Sequence, residues 1–308
     1  MPDFQPLAYF RDRLVAAAEA KLSIYDLGIV MGATVTDMAR TYRHQPFRLI
    51  DHLVRFYESC KYARLQIPLS LEETEQVTLE LTRHNVQELA AKEDLAIVYF
   101  ITPGENPVYA GSAAGAVHLE PTFCIHTFPL PFSNWTHLFH EGAHVVTPSI
   151  RHIPPQCVDP KIKCRSRMHW WLADQEVHLV DPKAVTLLLD LDGNVTETGG
   201  SNFLIAKNGV LISPTARNTM RGISRQNVIE LCAKLEIAFT EGDFQVHDVI
   251  NADEAFLTTT PYGIAPATRI NGLPIGNGKP GPLFTRIAAA WSEQVGLDIL
   301  EQICSSEH

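Results

Sequence analysis

The chain has 308 residues, 45% of them hydrophobic and 19% charged, with a formal net charge of −10 at pH 7. That composition belongs to a globular protein and excludes a disordered or repeat-built one. The acidic balance disfavours nonspecific nucleic-acid binding, which neutralises phosphates with cations, and disfavours anionic membrane surfaces.

In chain order, the opening "MPDFQPLAYFRDRLVAAAEA" lacks the continuous apolar block of a signal peptide. "PFRLIDHLVRFYESCKYA" places Leu49, Leu53 and Phe56 at helical spacing. "SLEETEQVTLELTRHNVQELA" opens with Ser70 three residues before Glu73, the start of a capping box. "LAIVYFIT" reads as a buried strand, and "FCIHTFPLPF" as another, ended by Pro129 and Pro131. The proline-bearing stretch 127–135 is the expected linker between a domain at 1–126 and a second at 136–308.

Beyond the linker, "GAHVVTPSI" reads as a strand broken by Pro148, and "RSRMHWWLADQEVHLV" as a helix. The strands "AVTLLLD" and "NFLIAK" are each followed by a turn signal, Asp192-Gly193 and Asn208-Gly209. "SRQNVIELCAKLEI" is a helix, "EAFLTTT" a strand, and "LFTRIAAAWSEQV" a terminal helix. Helices and strands mix without strict βαβ alternation, which points to an α+β protein of two domains. Cysteines at 60, 124, 157, 164, 232 and 304 show no paired spacing, so they read as reduced thiols in a cytoplasmic protein.

One short pattern suggests a zinc hydrolase: His140-Glu141-Gly142-Ala143-His144, with His137 upstream. Zinc chemistry of that type needs both histidines one turn apart on a stable helix. Gly142 inside the pattern, the β-branched residues after it and Pro148 oppose such a helix. The pattern is read as coincidence and no metal is expected, a zinc hydrolase remaining the alternative from a different class.

Three other segments carry chemistry. In "DPKIKCRSRMHWW", Lys161 and Lys163 alternate around Ile162 and share a face if extended; Arg165 and Arg167 follow, and neighbouring cations activate a lysine for Schiff-base formation. The plain alternative is a basic solvated loop. In "NVTETGGSNFLIAK", Glu197 precedes Thr198, Gly199, Gly200, Ser201 and Asn202, small residues that let a flat ligand approach the backbone. In "MRGISRQNVIEL", Gly222 and Ser224 precede a helix whose free N–H groups suit a phosphate; Ser224 as an ordinary N-cap is the alternative.

The order Lys163, "VTETGGSNFL", "GISR", "ADEAFLTTTPYGIAP", "NGLPIGNGKPGP" resembles the class IV (fold type IV) pyridoxal-phosphate enzymes, and "YFRDRLV", "YDLGIVMG" and "PFRLIDHLVR" extend the likeness over nearly the whole chain. That family includes branched-chain and D-amino acid aminotransferases, (R)-selective amine transaminases and aminodeoxychorismate lyase. The resemblance implies a smaller α/β domain followed by a larger pseudo-barrel domain, a homodimer, and pyridoxal 5'-phosphate as cofactor. It implies an aminotransferase acting on an amino donor and an oxo acid, or alternatively a lyase. Carried over, Lys163 is the Schiff-base lysine, Glu197 faces the pyridine nitrogen, and Arg55, Ile223, Ser224 and Thr260 hold the phosphate. The sequence departs from family members where substrate is read: Met31 and Thr36 stand in places usually aromatic, Pro103 stands near the arginine of D-amino acid enzymes, and Arg167 or Met168 replaces a tyrosine. Arg40, Tyr99 and His169 are the candidate substrate residues.

Overall fold

The computed structural model describes residues 4–106 and 119–305. It resolves into two compact units, residues 1–130 with Ile162–Ser166, and Pro131–Lys161 with Arg167 onward. The segment Ile162–Ser166, which bears Lys163, groups with the first unit.

The first unit holds strands β1 (Leu7–Phe10), β2 (Arg13–Ala16), β3 (Val35–Tyr42), β4 (Gln45–Pro46), β5 (Leu95–Thr102) and β6 (Thr122–Pro129), with helices α1 (Leu27–Val30), α2 (Leu49–Ala63) and α3 (Leu71–Asn85). The strands form one sheet in the order β2-β1-β6-β5-β3-β4. β5 lies between two neighbours and is buried along nearly all its length, which accounts for its unbroken apolar run. Leu49, Leu53, Phe56 and Cys60 line one side of α2 and pack on Ile97, Ile101, Phe123 and Ile125. The capping box of α3 is present: Ser70 Oγ accepts the Glu73 amide at 3.2 Å, and Glu73 Oε2 accepts the Ser70 amide at 2.7 Å.

Two candidate substrate residues are part of this framework. Tyr99 is fully buried beside Phe56 and donates its hydroxyl to Thr78 Oγ1 at 3.1 Å. Arg40 is 1% exposed, donates Nε to the Thr41 carbonyl, and lies 3.4 Å from Asp94 Oδ2 and 3.7 Å from the Tyr42 ring centroid. Asp94 also accepts the amides of Arg43 and His44, non-glycine turn residues at positive φ of 51° and 65°. Arg40 thus anchors the carboxylate that stabilises a strained two-residue hairpin. Both side chains, assigned to substrate from the sequence, make these contacts within the framework of the first unit.

The second unit holds β7 (Ala143–Val146), β8 (Val185–Leu189), β9 (Val195–Thr198), β10 (Asn202–Lys207), β11 (Val210–Ser213), β12 (Ala238–Glu241), β13 (Glu254–Thr259), β14 (Gly263–Ile270) and β15 (Leu273–Pro274). Its helices are α4 (Thr136–His140), α5 (Met168–Val180), α6 (Ile223–Lys234), α7 (Val246–Ile250), α8 (Pro282–Val295) and α9 (Ile299–Cys304). The order β10-β13-β14-β7-β8-β9 closes where Asn202 pairs with Glu197, giving a six-stranded pseudo-barrel flanked by β11, β12 and β15. The helix over 282–295 is not terminal: α9 follows, its N-cap Asp298 accepting the Glu301 amide. No helix among the described residues is long and apolar enough to cross a membrane.

The histidine pattern is divided by the fold. His140 ends α4, Gly142 turns the chain at φ 78°, and His144 starts a strand. His144 Nδ1 lies 2.7 Å from Asp181 Oδ2, and its Nε2 accepts the Gly272 amide at 2.9 Å, so the ring's two nitrogens are engaged within the protein. A Cβ at position 142 would collide with the Thr268 side chain. Gly142→Ala is therefore expected to destabilise the protein by about 1–3 kcal/mol through left-handed strain and overpacking, read as a lower urea midpoint; an unchanged midpoint contradicts this reading of the turn.

Candidate active site

In the first unit, backbone bonds fix Lys163. Its N–H donates to Ser59 Oγ at 3.3 Å, its carbonyl accepts the Thr36 amide at 2.9 Å, and the Arg165 N–H donates to the Thr34 carbonyl at 3.0 Å. Cys164 forms an antiparallel bridge with Val35, so the segment adds to the start of β3. Lys161 instead lies in a turn of the second unit, paired with Asp159 Oδ1 at 2.7 Å.

Beside this segment is a buried charged cluster that the sequence reading missed. Asp37 on β3 is fully buried and accepts Arg55 Nε and Nη2, both at 2.8 Å, with His52 Nδ1 at 2.9 Å. Burial alone would raise the Asp37 carboxyl, but the Arg55 charge and the hydrogen bonds from His52 and Arg55 bring it well below the usual carboxylate range. His52 is lowered chiefly by burial, which the Asp37 carboxylate only partly offsets, with Arg55 and Lys163 adding to the lowering. The signal was present in the sequence: an acid inside an apolar strand, and His52 and Arg55 one turn apart on a helix. Asp37 fixes the plane of the Arg55 guanidinium, a fork suited to holding phosphate oxygens.

In the second unit, Glu197 on β9 is 7% exposed. Its Oε2 accepts Asn202 Nδ2 at 3.0 Å and the Met220 amide at 3.1 Å, and its Oε1 lies 3.5 Å from His152 Nε2. Asn202 also donates to the Met220 carbonyl at 2.9 Å. Glu197, Asn202 and Thr258 stand in register across β9, β10 and β13, and Thr258 Oγ1 is a buried hydroxyl with no hydrogen-bond partner among the described residues. Thr260 follows two residues later, at the end of the same hairpin arm.

Gly222, not Ser224, is the N-cap of α6, and it offers no side chain to the first turn. Ile223 and Ser224 are the first two helical residues, so their amides are among those left without intrahelical partners. A Cβ at 222 would collide with Asn202 Oδ1. One asparagine therefore ties the Glu197 carboxylate to the uncapped helix start. Arg167 donates to the Gly199 carbonyl, and Met168, at 69% exposure, opens α5. His169 sits against the rings of His152 and Trp170, and burial, then His152 and Arg167, push it down to about 4.

The family described as amino-transferase class IV matches residues 34–270. The chain belongs to the class IV aminotransferases. This aminotransferase is 31% identical over 287 residues to a putative branched-chain-amino-acid aminotransferase of Methanocaldococcus jannaschii, covering 91% of this chain and 93% of the relative. It is 28% identical to a D-alanine aminotransferase of Bacillus licheniformis, over 93% and 96% of the two chains. Among solved structures, a T.th. branched-chain amino acid aminotransferase with pyridoxamine 5'-phosphate superposes with a TM-score of 0.83 at 26% identity, covering 94% of each chain. The class IV aminotransferase fold, fold type IV, agrees with the sequence reading.

Proposed function

We propose that the protein is a pyridoxal 5'-phosphate-dependent aminotransferase that moves an amino group between an amino acid or amine and an oxo acid, with Lys163 covalently joined to the cofactor. The residues fit that group by chemical type. An aldehyde needs an amine, a protonated ring nitrogen a buried carboxylate, and a phosphate a cationic fork with amide and hydroxyl donors. Lys163 is the amine, Glu197 the carboxylate, and Arg55, Ile223, Ser224 and Thr260 the phosphate holders. The observation that carries the reading is the oriented Glu197: its Oε2 is held by Asn202 and the Met220 amide, which aims the carboxylate.

When bound, the cofactor supplies an electron sink for the carbanion formed at the substrate carbon. Lys163 Nζ, as the neutral amine, would take the proton from that carbon and deliver it to the carbon on the other side of the transferring nitrogen, the one that carried the cofactor's aldehyde, general acid–base catalysis by a single positioned group. Glu197 keeps a proton at the ring nitrogen. Arg55 holds the phosphate while Asp37 holds Arg55. His169 stays uncharged near neutral pH and serves as a wall for substrate.

Glu197→Gln is expected to lower kcat by about 10²-fold or more, with cofactor still bound. Single-turnover absorbance with an amino acid donor measures this; an unchanged rate contradicts the role. Pyruvate release from aminodeoxychorismate without an amino acceptor would place the protein with the lyases instead. The assembly we infer is a homodimer, supported by an apolar stripe on α5: Met168, Trp171, Leu172 and Leu179 are 69%, 61%, 50% and 88% exposed, opposite the buried Trp170, Ala173 and Val177. Six free thiols support a reducing, cytoplasmic setting.

A further inference from the structure

Glu197 has a neighbour beyond the two donors on its Oε2. His152 Nε2 lies 3.5 Å from Oε1, an ion-pair distance, and both residues are buried. The main chain sets the ring there. Arg151 forms a parallel bridge with Leu189 at the end of β8, and the His152 N–H donates to the Leu189 carbonyl at 2.9 Å; β9, which carries Glu197, is paired with the same strand. The imidazole stands edge-on to His169 and Trp170 of α5, with ring centroids 6.0 and 5.8 Å away. Its Nδ1 is 3.0 Å from the Ile153 carbonyl oxygen, and Pro154 disfavours helical backbone at Ile153.

These neighbours fix how many protons the ring needs. A carbonyl oxygen only accepts, so Nδ1 carries a hydrogen. In a neutral ring that leaves Nε2 as a bare lone pair directed at a carboxylate oxygen; with a second proton both nitrogens donate. The donors on Oε2, Asn202 Nδ2 and the Met220 amide, are uncharged, and a buried carboxylate without a counter-charge is costly. Of the other groups around the ring, His169 is pushed down to about 4 by burial first, then by His152 and Arg167, and Arg167 turns to the Gly199 carbonyl and the Trp170 ring. The counter-charge therefore falls to His152.

We propose that His152 is a positioning residue for Glu197, standing as an imidazolium whose Nε2–H closes the Oε1 side of the carboxylate and supplies its counter-charge. The inference rests on Glu197 being the partner of the cofactor's ring nitrogen. Oε2 already has two donors, so Oε1 is the oxygen with capacity for a further one. His152 fixes the plane in which that oxygen is offered and shares its negative charge, while making no contact with the reacting atoms itself.

The first test is a long-range ¹H–¹⁵N correlation spectrum of the cofactor-free, ¹⁵N-histidine-labelled protein near neutral pH, with His152 assigned from the His152→Gln spectrum. The expected result is a proton on both nitrogens of His152 in the wild type and on Nδ1 alone in Glu197→Gln, which keeps the shape and removes the charge. A bare Nε2 in the wild type, or a His152 signal that Glu197→Gln leaves unchanged, overturns the proposal. The second test is a double-mutant cycle on the first half-reaction of the cofactor-loaded protein. His152→Leu should slow it by about 10- to 100-fold, the worth of a hydrogen bond to a charged group, and His152→Gln, which keeps an N–H donor, should slow it less. In a Glu197→Gln background His152→Leu should cost nothing further, because it acts through Glu197. Equal losses in both backgrounds mark a merely structural residue and overturn the proposal while the aminotransferase reading stands. A wild-type protein that takes up no cofactor sinks that reading and this inference together.

Discussion

Replacing Lys163 with alanine is expected to abolish transamination and leave the fold in place. The backbone of residue 163 bonds to Ser59 Oγ and the Thr36 amide, and alanine keeps both. What disappears is Nζ, the group assigned both the covalent link and the proton transfer. The rate should fall by at least about 10⁴-fold, the upper end of what one positioned acid–base group contributes. Lys163→Arg, which keeps charge and length but cannot act as a neutral base, should be as inactive. Single-turnover absorbance gives the rate and circular dichroism checks the fold; a folded Lys163→Ala protein that still transaminates contradicts the assignment.

The second large effect is expected at Asp37. This carboxylate is fully buried and holds Arg55, itself 9% exposed, through two charge-assisted hydrogen bonds. Removing one partner of a buried ion pair costs about 3–5 kcal/mol, because the other charge keeps its desolvation penalty. Asp37→Ala should therefore lower the urea midpoint strongly with the slope unchanged, and should weaken cofactor binding as Arg55 loses its fixed plane. Asp37→Asn should do less, since the amide keeps the shape and one acceptor oxygen. A midpoint that does not move removes Asp37 from this role.

The same cluster sets the response to acid. The folded state lowers both His52 and Asp37, so in acid the unfolded chain binds protons that the folded one refuses. Stability is fully present above about pH 6.5, the unfolded histidine value, and declines below it through His52, then below about pH 4 through Asp37. Urea midpoints measured from pH 8 down to about pH 2 should fall in that order, and His52→Asn should flatten the upper part of the curve.

Much of the fold was legible because the signals were local. The capping box at Ser70 and Glu73, the apolar repeat of α2 and the buried run of β5 each state their structure within a few residues. β14 was not legible, because Pro266 sits inside it. The strand tolerates Pro266 because its bonds to β7 begin only at Ala267 and shift register before Arg269, so the missing N–H falls outside that ladder. β12 was missed for another reason: its residues are half-exposed or exposed, so no apolar alternation marks it. For the candidate site, Lys163, Glu197 and the α6 start follow from motif order, whereas Asp37 with Arg55, and His152 with Glu197, join residues 18 and 45 positions apart. Arg40 and Tyr99 show the same limit: their contacts with Asp94 and Thr78 join residues 54 and 21 positions apart.

The most direct measurement is borohydride reduction of the cofactor-loaded protein followed by peptide mass spectrometry. A phosphopyridoxyl adduct on Lys163, and on no other lysine, is the expected result. An adduct on Lys161, two residues away and paired with Asp159, or a protein that takes up cofactor without any reducible covalent link, contradicts the account.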